Sequence, residues 1–183
     1  MIQLRPFTRD DFDRVIGWAV SPELVVQWAG LGFTHPLDHA QLETYVRYAE
    51  DNPDSRVIWK AVEVDADDVV GHIELDRIHA GARRARLSRV IVAPDRRRKG
   101  IAGRMTRLVL RHGFEALGLH RIDLGVFDFN AAAIRCYEAC GFVREGLERD
   151  AMRMGDAYWS AVQMSILEHE WRALGASRDD DSA

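Results

Sequence analysis

The sequence predicts one α/β domain: a mixed sheet with helices on both faces. Three observations carry that prediction. The first three apolar β-type runs are sequential and hairpin-like. From residue 87 onward, strands alternate with amphipathic helices. The 183 residues, 47% hydrophobic and 30% charged, suit a single buried core and contain no repeat or linker.

Residues 2–6 read as a first strand stopped at Pro6. Thr8 is an N-cap with Asp11 three residues on, opening a helix through Phe12, Val15 and Ile16 to about Trp18. Residues 19–37, with Trp28, Gly30, Gly32, Phe33 and two prolines, read as irregular or partly helical. There an acceptor pocket could be built, or Trp28 and Phe33 could simply pack. Asp38 and Gln41 form a capping pair before Leu42, Tyr45, Val46 and Ala49, which recur at helical spacing up to Asn52-Pro53. Residues 56–64 and 69–76 are two strands joined by the acidic turn 65–68. Period-two alternation puts Val70, His72, Glu74 and Asp76 on one face, and Val69, Ile73 and Leu75 on the other. A loop over 77–85 follows.

After the strand and loop described below, a helix runs from 101 to about Leu117 and stops at Gly118. Residues 121–127 form a strand, and Asn130 caps a short helix ending at Gly141. Residues 142–152 and 157–167 are two more strands, joined through Gly155-Asp156. The domain is expected to span residues 1–174, and the acidic tail 175–183 is expected to be disordered.

The net charge of −4 gives no global attraction to nucleic acid. The opening MIQLRPFTRDDF has early acids and no apolar core, so no signal peptide is expected. No apolar run approaches the ~20 residues of a membrane span. Cys136 and Cys140 lie four apart on one predicted helix, where a disulfide is geometrically awkward. Reduced thiols in a cytoplasmic protein are the expectation. No metal is expected, since the His and carboxylate spacing does not support a site.

The chemistry concentrates in residues 87–103, LSRVIVAPDRRRKGIAG. Val90, Ile91 and Val92 end a strand, and Pro94 and Asp95 begin a turn. The arginines, Lys99 and Gly100 then lead into a helix with apolar residues at 101, 105, 108 and 109. Free N–H groups at a helix start, flanked by small residues, suit a pyrophosphate. Arg97, Arg98 and Lys99 add positive charge. A Walker A loop is excluded because Lys99 precedes its glycine, and a Rossmann GxGxxG is absent.

Arg97 to Ala102, R-R-K-G-I-A, resembles the acyl-CoA loop Q/R-x-x-G-x-G/A of the GNAT superfamily of N-acyltransferases. The stretch 130–142 resembles that family's second motif, with Asn130, Ala133, Tyr137, Gly141 and Phe142 in register. The block 145–171 is similar to the branch of ribosomal-protein alanine and spermidine acetyltransferases. The resemblance implies a mostly antiparallel sheet with a splay between the strand ending at Val92 and the one starting at Arg121.

It also implies an N-acetyltransferase that takes acetyl-CoA as co-substrate and a primary amine, small molecule or protein N-terminus, as acceptor. Homodimers occur among relatives. By resemblance Ile91 and Val92 hold the pantetheine arm, Arg98, Lys99, Gly100, Ile101, Ala102 and Gly103 the pyrophosphate, and Asn130 the arm again. Tyr137 is the general acid beside the sulfur. A phenol at ~10 against a thiolate near ~8.5 is mismatched by about 2 kcal/mol, which is tolerable. Many relatives carry a Glu on the central strand, where this chain has Arg86, Leu87 and Ser88. Glu74 is therefore the catalytic base or anchor expected here, with His72 a weaker candidate. The acids Glu74, Asp76, Asp128 and Glu145 would favour a cationic acceptor if they line the pocket. The competing readings are a non-catalytic acyl-CoA sensor and, more remotely, a polyanion-binding protein using the basic run.

Overall fold

The computed structural model describes residues 1–179. Its seven strands are β1 (Ile2–Pro6), β2 (Val57–Glu63), β3 (Asp68–His79), β4 (Arg84–Val92), β5 (Arg121–Phe127), β6 (Val143–Met154) and β7 (Ala157–Leu167). They form one sheet in the order β1-β2-β3-β4-β5-β7-β6. Every neighbouring pair is antiparallel except β4 and β5.

The helices are α1 (Phe12–Trp18), α2 (Pro22–Ala29), α3 (His39–Asp51), α4 (Ile101–Arg111), α5 (Ala131–Glu138) and α6 (Glu168–Asp179). Two cores follow from this order. On one sheet face Phe12, Val25, Trp28, Leu42 and Tyr45 of α1–α3 pack together with Ile91. On the other, Met105, Val109 and Leu110 of α4 and Ile134 of α5 pack on Ile73, Leu75, Ile122, Met164 and Ile166.

Caps fall where the sequence puts them. The Asp38 carboxylate accepts from Gln41 N–H at 2.9 Å, and Thr8 with Asp11 forms a reciprocal box. Ser21 accepts from Leu24 N–H at 3.2 Å and Pro22 stands at the first position, so of the two readings of 19–37, irregular or partly helical, the partly helical one holds, with α2 a regular helix.

Three expectations are corrected. The loop 77–85 shrinks to a tight turn, because β3 continues to His79 and β4 begins at Arg84. Val70 belongs with Ile73 and Leu75, not with His72. The β2–β3 register jumps from Ala61↔Gly71 to Val62↔Val69, and that extra residue shifts the alternation by one. α6 extends to Asp179, so residues 175–179 are helical; the expected disorder of 180–183 lies outside the described residues.

The feature that positions the site is the short β4–β5 pairing. Only Arg84↔Arg121, Ala85↔Ile122 and Arg86↔Asp123 are in register, although β4 continues to Val92 and β5 to Phe127. Asp123, itself buried, sits at the vertex. It accepts from Arg84 at 3.0 Å and from Arg86 at 2.6 Å. Beyond it the strands part.

Candidate active site

The opening between β4 and β5 is a cavity of about 560 Å³. It passes through the sheet. On the side of α4 and α5 it is lined by Arg97, Arg98, Gly100 to Gly103, Asn130, Ala133, Cys136 and Tyr137. On the other side it is lined by Leu24, Gln27 and Trp28 of α2. Leu87 to Val92 of β4 and Leu124 to Phe127 of β5 form the walls between. Every residue that the two motifs assign to the cofactor therefore borders one space, apart from Lys99. Glu74 does not line it.

The loop has the conformation of an anion cradle. Pro94–Arg96 forms a single tight turn, anchored by Arg96 on Glu63 at 3.2 Å and on Asp68 at 2.9 Å. Arg97 Nε donates to the Val92 carbonyl at 3.2 Å. Arg98 and Gly100 are both left-handed, at φ +62° and +73°. Interspersed left-handed residues turn successive N–H groups toward one point, and the start of α4 adds its own free N–H groups. A Cβ on Gly100 would meet nothing within 4 Å, so the glycine is required for its φ. Gly103 serves differently. A Cβ there would lie 3.6 Å from Cys136 Sγ and 3.9 Å from Cys140 Sγ, so it lets α4 approach α5.

The wall strand β4 carries a bulge that the sequence does not reveal. Its register against β3 moves from Glu74↔Ser88 to His72↔Ile91, three residues on β4 against two on β3. Arg89 sits in the bulge at φ +49°, a left-handed conformation costing an L-residue ~1–2 kcal/mol. A bulge leaves its extra residue out of the ladder, and here that residue borders the cavity.

A buried network holds the bulge in place. His72 Nδ1–H donates to the Arg89 carbonyl at 2.9 Å. The Arg89 guanidinium pairs with Glu74 and lies over the rings of Phe33 at 5.3 Å and Tyr45 at 5.0 Å. The Tyr45 hydroxyl donates to Glu74 at 2.6 Å and lies 3.2 Å from His72 Nε2. Arg56 Nε is 3.7 Å from Glu74, and its Nη2 is 2.9 Å from Asp76. Glu74 is 0% exposed; burial pushes its carboxyl up against the opposing pull of Arg89, Tyr45 and Arg56.

α5 delivers the remaining groups. Asn130 Oδ1 accepts from Ala133 N–H at 3.2 Å, so the residue caps the helix while bordering the cavity. Tyr137 is half-buried; burial, then the two neighbouring thiols, pushes its phenol well above the ordinary value. Cys136 is pulled down to about 7, chiefly by its hydrogen bond with Cys140 and then by the charge of Arg107. Neither cysteine is in a disulfide.

Residues 2–143 match the family described as an acetyltransferase (GNAT) domain. The chain belongs to that family. Spermidine N(1)-acetyltransferase of Vibrio cholerae is 30% identical over 129 residues, covering 70% of this chain and 72% of that protein. The Escherichia coli K12 spermidine N(1)-acetyltransferase is 29% identical over 174 residues, covering 94% and 89%. L-amino acid N-acetyltransferase AaaT of the same organism is 32% identical over 133 residues, covering 69% and 77%. The crystal structure of the V. cholerae spermidine N-acetyltransferase in complex with CoA and spermine superposes with a TM-score of 0.81. It is 25% identical and covers 93% of this chain and 97% of that one.

This GNAT protein is therefore an acyl-CoA-dependent N-acetyltransferase. It transfers acetyl from acetyl-CoA, its co-substrate, to an amine. The cradle of left-handed residues and the through-sheet cavity fit that co-substrate on their own geometry. Among the described residues, no helix is long and apolar enough to cross a membrane.

Proposed function

We propose that the chain acetylates a primary amine by direct attack in a ternary complex, acetyl-CoA reaching into the β4–β5 opening from the α4–α5 side and the amine from the α2 side. The observation that carries this is the single cavity joining the two motifs to α2 through the parted strands. Acetyl-CoA supplies an acyl group on a thiolate leaving group. The loop 97–103 holds the pyrophosphate with its N–H groups and with Arg97, Arg98 and Lys99. Ile91, Val92 and Asn130 bind the pantetheine arm. A backbone N–H freed by the bulge donates to the oxygen that becomes negative during attack. Tyr137 donates a proton to the departing sulfur.

Glu74 has a different role in this reading from the one its sequence position suggests. Its oxygens face Tyr45, Arg89 and Arg56, and it does not border the cavity, so it is a positioning residue that fixes Arg89 and the bulge. No Asp, Glu or His lines the cavity among the described residues. The amine therefore loses its proton to water before or during attack. We place the enzyme in the cytoplasm, where acetyl-CoA chemistry and unlinked thiols are at home, and infer that it self-associates along the exposed edge strand β6.

Initial-rate kinetics with both substrates varied test the mechanism. Intersecting double-reciprocal lines and no acetylated protein by mass spectrometry are expected. Parallel lines with acetyl on Cys136, the thiol held near neutrality in the cavity wall, would replace the ternary complex by a two-step route.

A further inference from the structure

The α2 end of the cavity carries no countercharge for a second ammonium group. Its walls are apolar at Leu24 and Trp28, its polar residues Gln27 and Ser88 are uncharged, and its charged residue, Arg89, is a cation already paired with Glu74. The acids nearest in the fold are engaged elsewhere. Glu74 pairs with Arg89 and Arg56, and Asp76 with Arg56. Asp123 pairs with Arg84 and Arg86, and Glu145 with Arg121 at 2.6 Å. Of these, none borders the cavity, nor does Asp128.

A reacting amine enters such a site as the neutral base, since an apolar wall disfavours the ammonium form. A distal ammonium has no such way out. It stays charged, and taking it out of water without a partner carries a penalty that an apolar or aromatic group does not meet. From this we infer that the acceptor is a primary monoamine on an apolar body, and that polyamines are poor substrates. The inference rests on the proposed entry of the amine from the α2 side. It also separates this chain from the relatives whose names specify spermidine.

The test uses the purified full-length chain with saturating acetyl-CoA. Thiol release is followed with 2-phenylethylamine, tryptamine, n-hexylamine, putrescine and spermidine, and products are checked by mass spectrometry. The expected result is a kcat/KM for the aromatic monoamines at least ~10-fold above that for spermidine. Gln27→Glu is nearly isosteric and places a carboxylate in the wall. It should raise kcat/KM for spermidine on the order of fivefold, through KM, and leave 2-phenylethylamine no better than before. Spermidine equal to or better than the monoamines overturns the inference and leaves acetyl transfer standing. A Gln27→Glu variant with unchanged spermidine kinetics overturns the placing of the amine beside α2. No acetylated product from any amine overturns the transfer reading and the inference together.

Discussion

His72 makes the acid limit of this fold calculable. The ring is 0% exposed, edge-on to Phe7 at 4.8 Å and to Trp28 at 5.4 Å. Burial first, and the Arg89 charge second, hold its pKa down to about 4 from 6.5; the bond to the Arg89 carbonyl and the Asp11 carboxylate oppose them. A folded pKa below the unfolded one means that the unfolded chain binds the proton more readily. Stability is then complete above the unfolded value and is lost as pH falls toward the folded one. Between about pH 7 and about pH 5 a single such group removes about 2 kcal/mol. Buried Glu74 is displaced upward, so its contribution falls as pH rises and partly masks the effect in the wild type. Comparison with His72→Gln cancels that masking. Urea unfolding followed by tryptophan fluorescence at half-unit pH steps should show the wild type starting more stable. Its advantage should shrink by about 2 kcal/mol over that range. A constant gap at every pH would refute a neutral buried His72.

Four other outcomes follow from the site. Tyr137→Phe should retain CoA affinity by calorimetry and lower kcat by ~10²-fold or more, and an unchanged kcat would make the residue packing alone. Gly100→Glu should weaken CoA binding at least ~10-fold, with a thermal melt showing only the small cost of a side chain at φ +73°. Glu74→Gln leaves Arg89 and Arg56 short of a buried partner and should cost ~3–5 kcal/mol of stability. Its pH–rate profile should keep the wild-type shape, and loss of the acidic limb would restore Glu74 as the base. In the wild type, kcat/KM should rise about tenfold per pH unit up to the pKa of the free amine, and an earlier plateau would reveal an enzymic base.

The sequence carried the strand–loop–helix segment and the capped helix at Asn130 clearly, because local devices specify them. Pro94, Gly100 and the Asn cap act within a few residues, and the turn and the two helix starts appear where expected. The two bulges were not legible. Neither Val70 nor Arg89 is a residue type that favours a bulge, and each extra residue is set by what lies across the sheet. Missing the first put Val70 on the wrong face. Missing the second hid the residue that the bulge frees from the ladder beside the cavity. Glu74 illustrates a further limit: alternation placed it correctly beside His72 and Asp76, but not which way the nearby arginines would turn. The sequence leaves Trp28 open between pocket and packing, and in the structure it does both. It lines the cavity while stacking on Phe33 with centroids 5.3 Å apart.

The arginines explain why this chain can work without an acid on its central strand. On the central strand β4 has Arg86 beside Leu87 and Ser88, and Arg86 reaches Asp123 across the vertex of the splay. Arg89, three residues on, reaches Glu74 on the opposite neighbour. The two arginines thus tie β4 to both adjacent strands, just where the bulge and the missing β5 ladder would otherwise loosen it. A carboxylate at these positions would face the same acids and repel them. Fixing a strained strand with cations removes the side-chain base from the wall. It also removes the negative field that would draw in a polycation. The absent base and the preference for a monoamine are thus two consequences of one structural choice. An enzyme of this design depends on an acceptor that sheds its proton readily in an apolar setting.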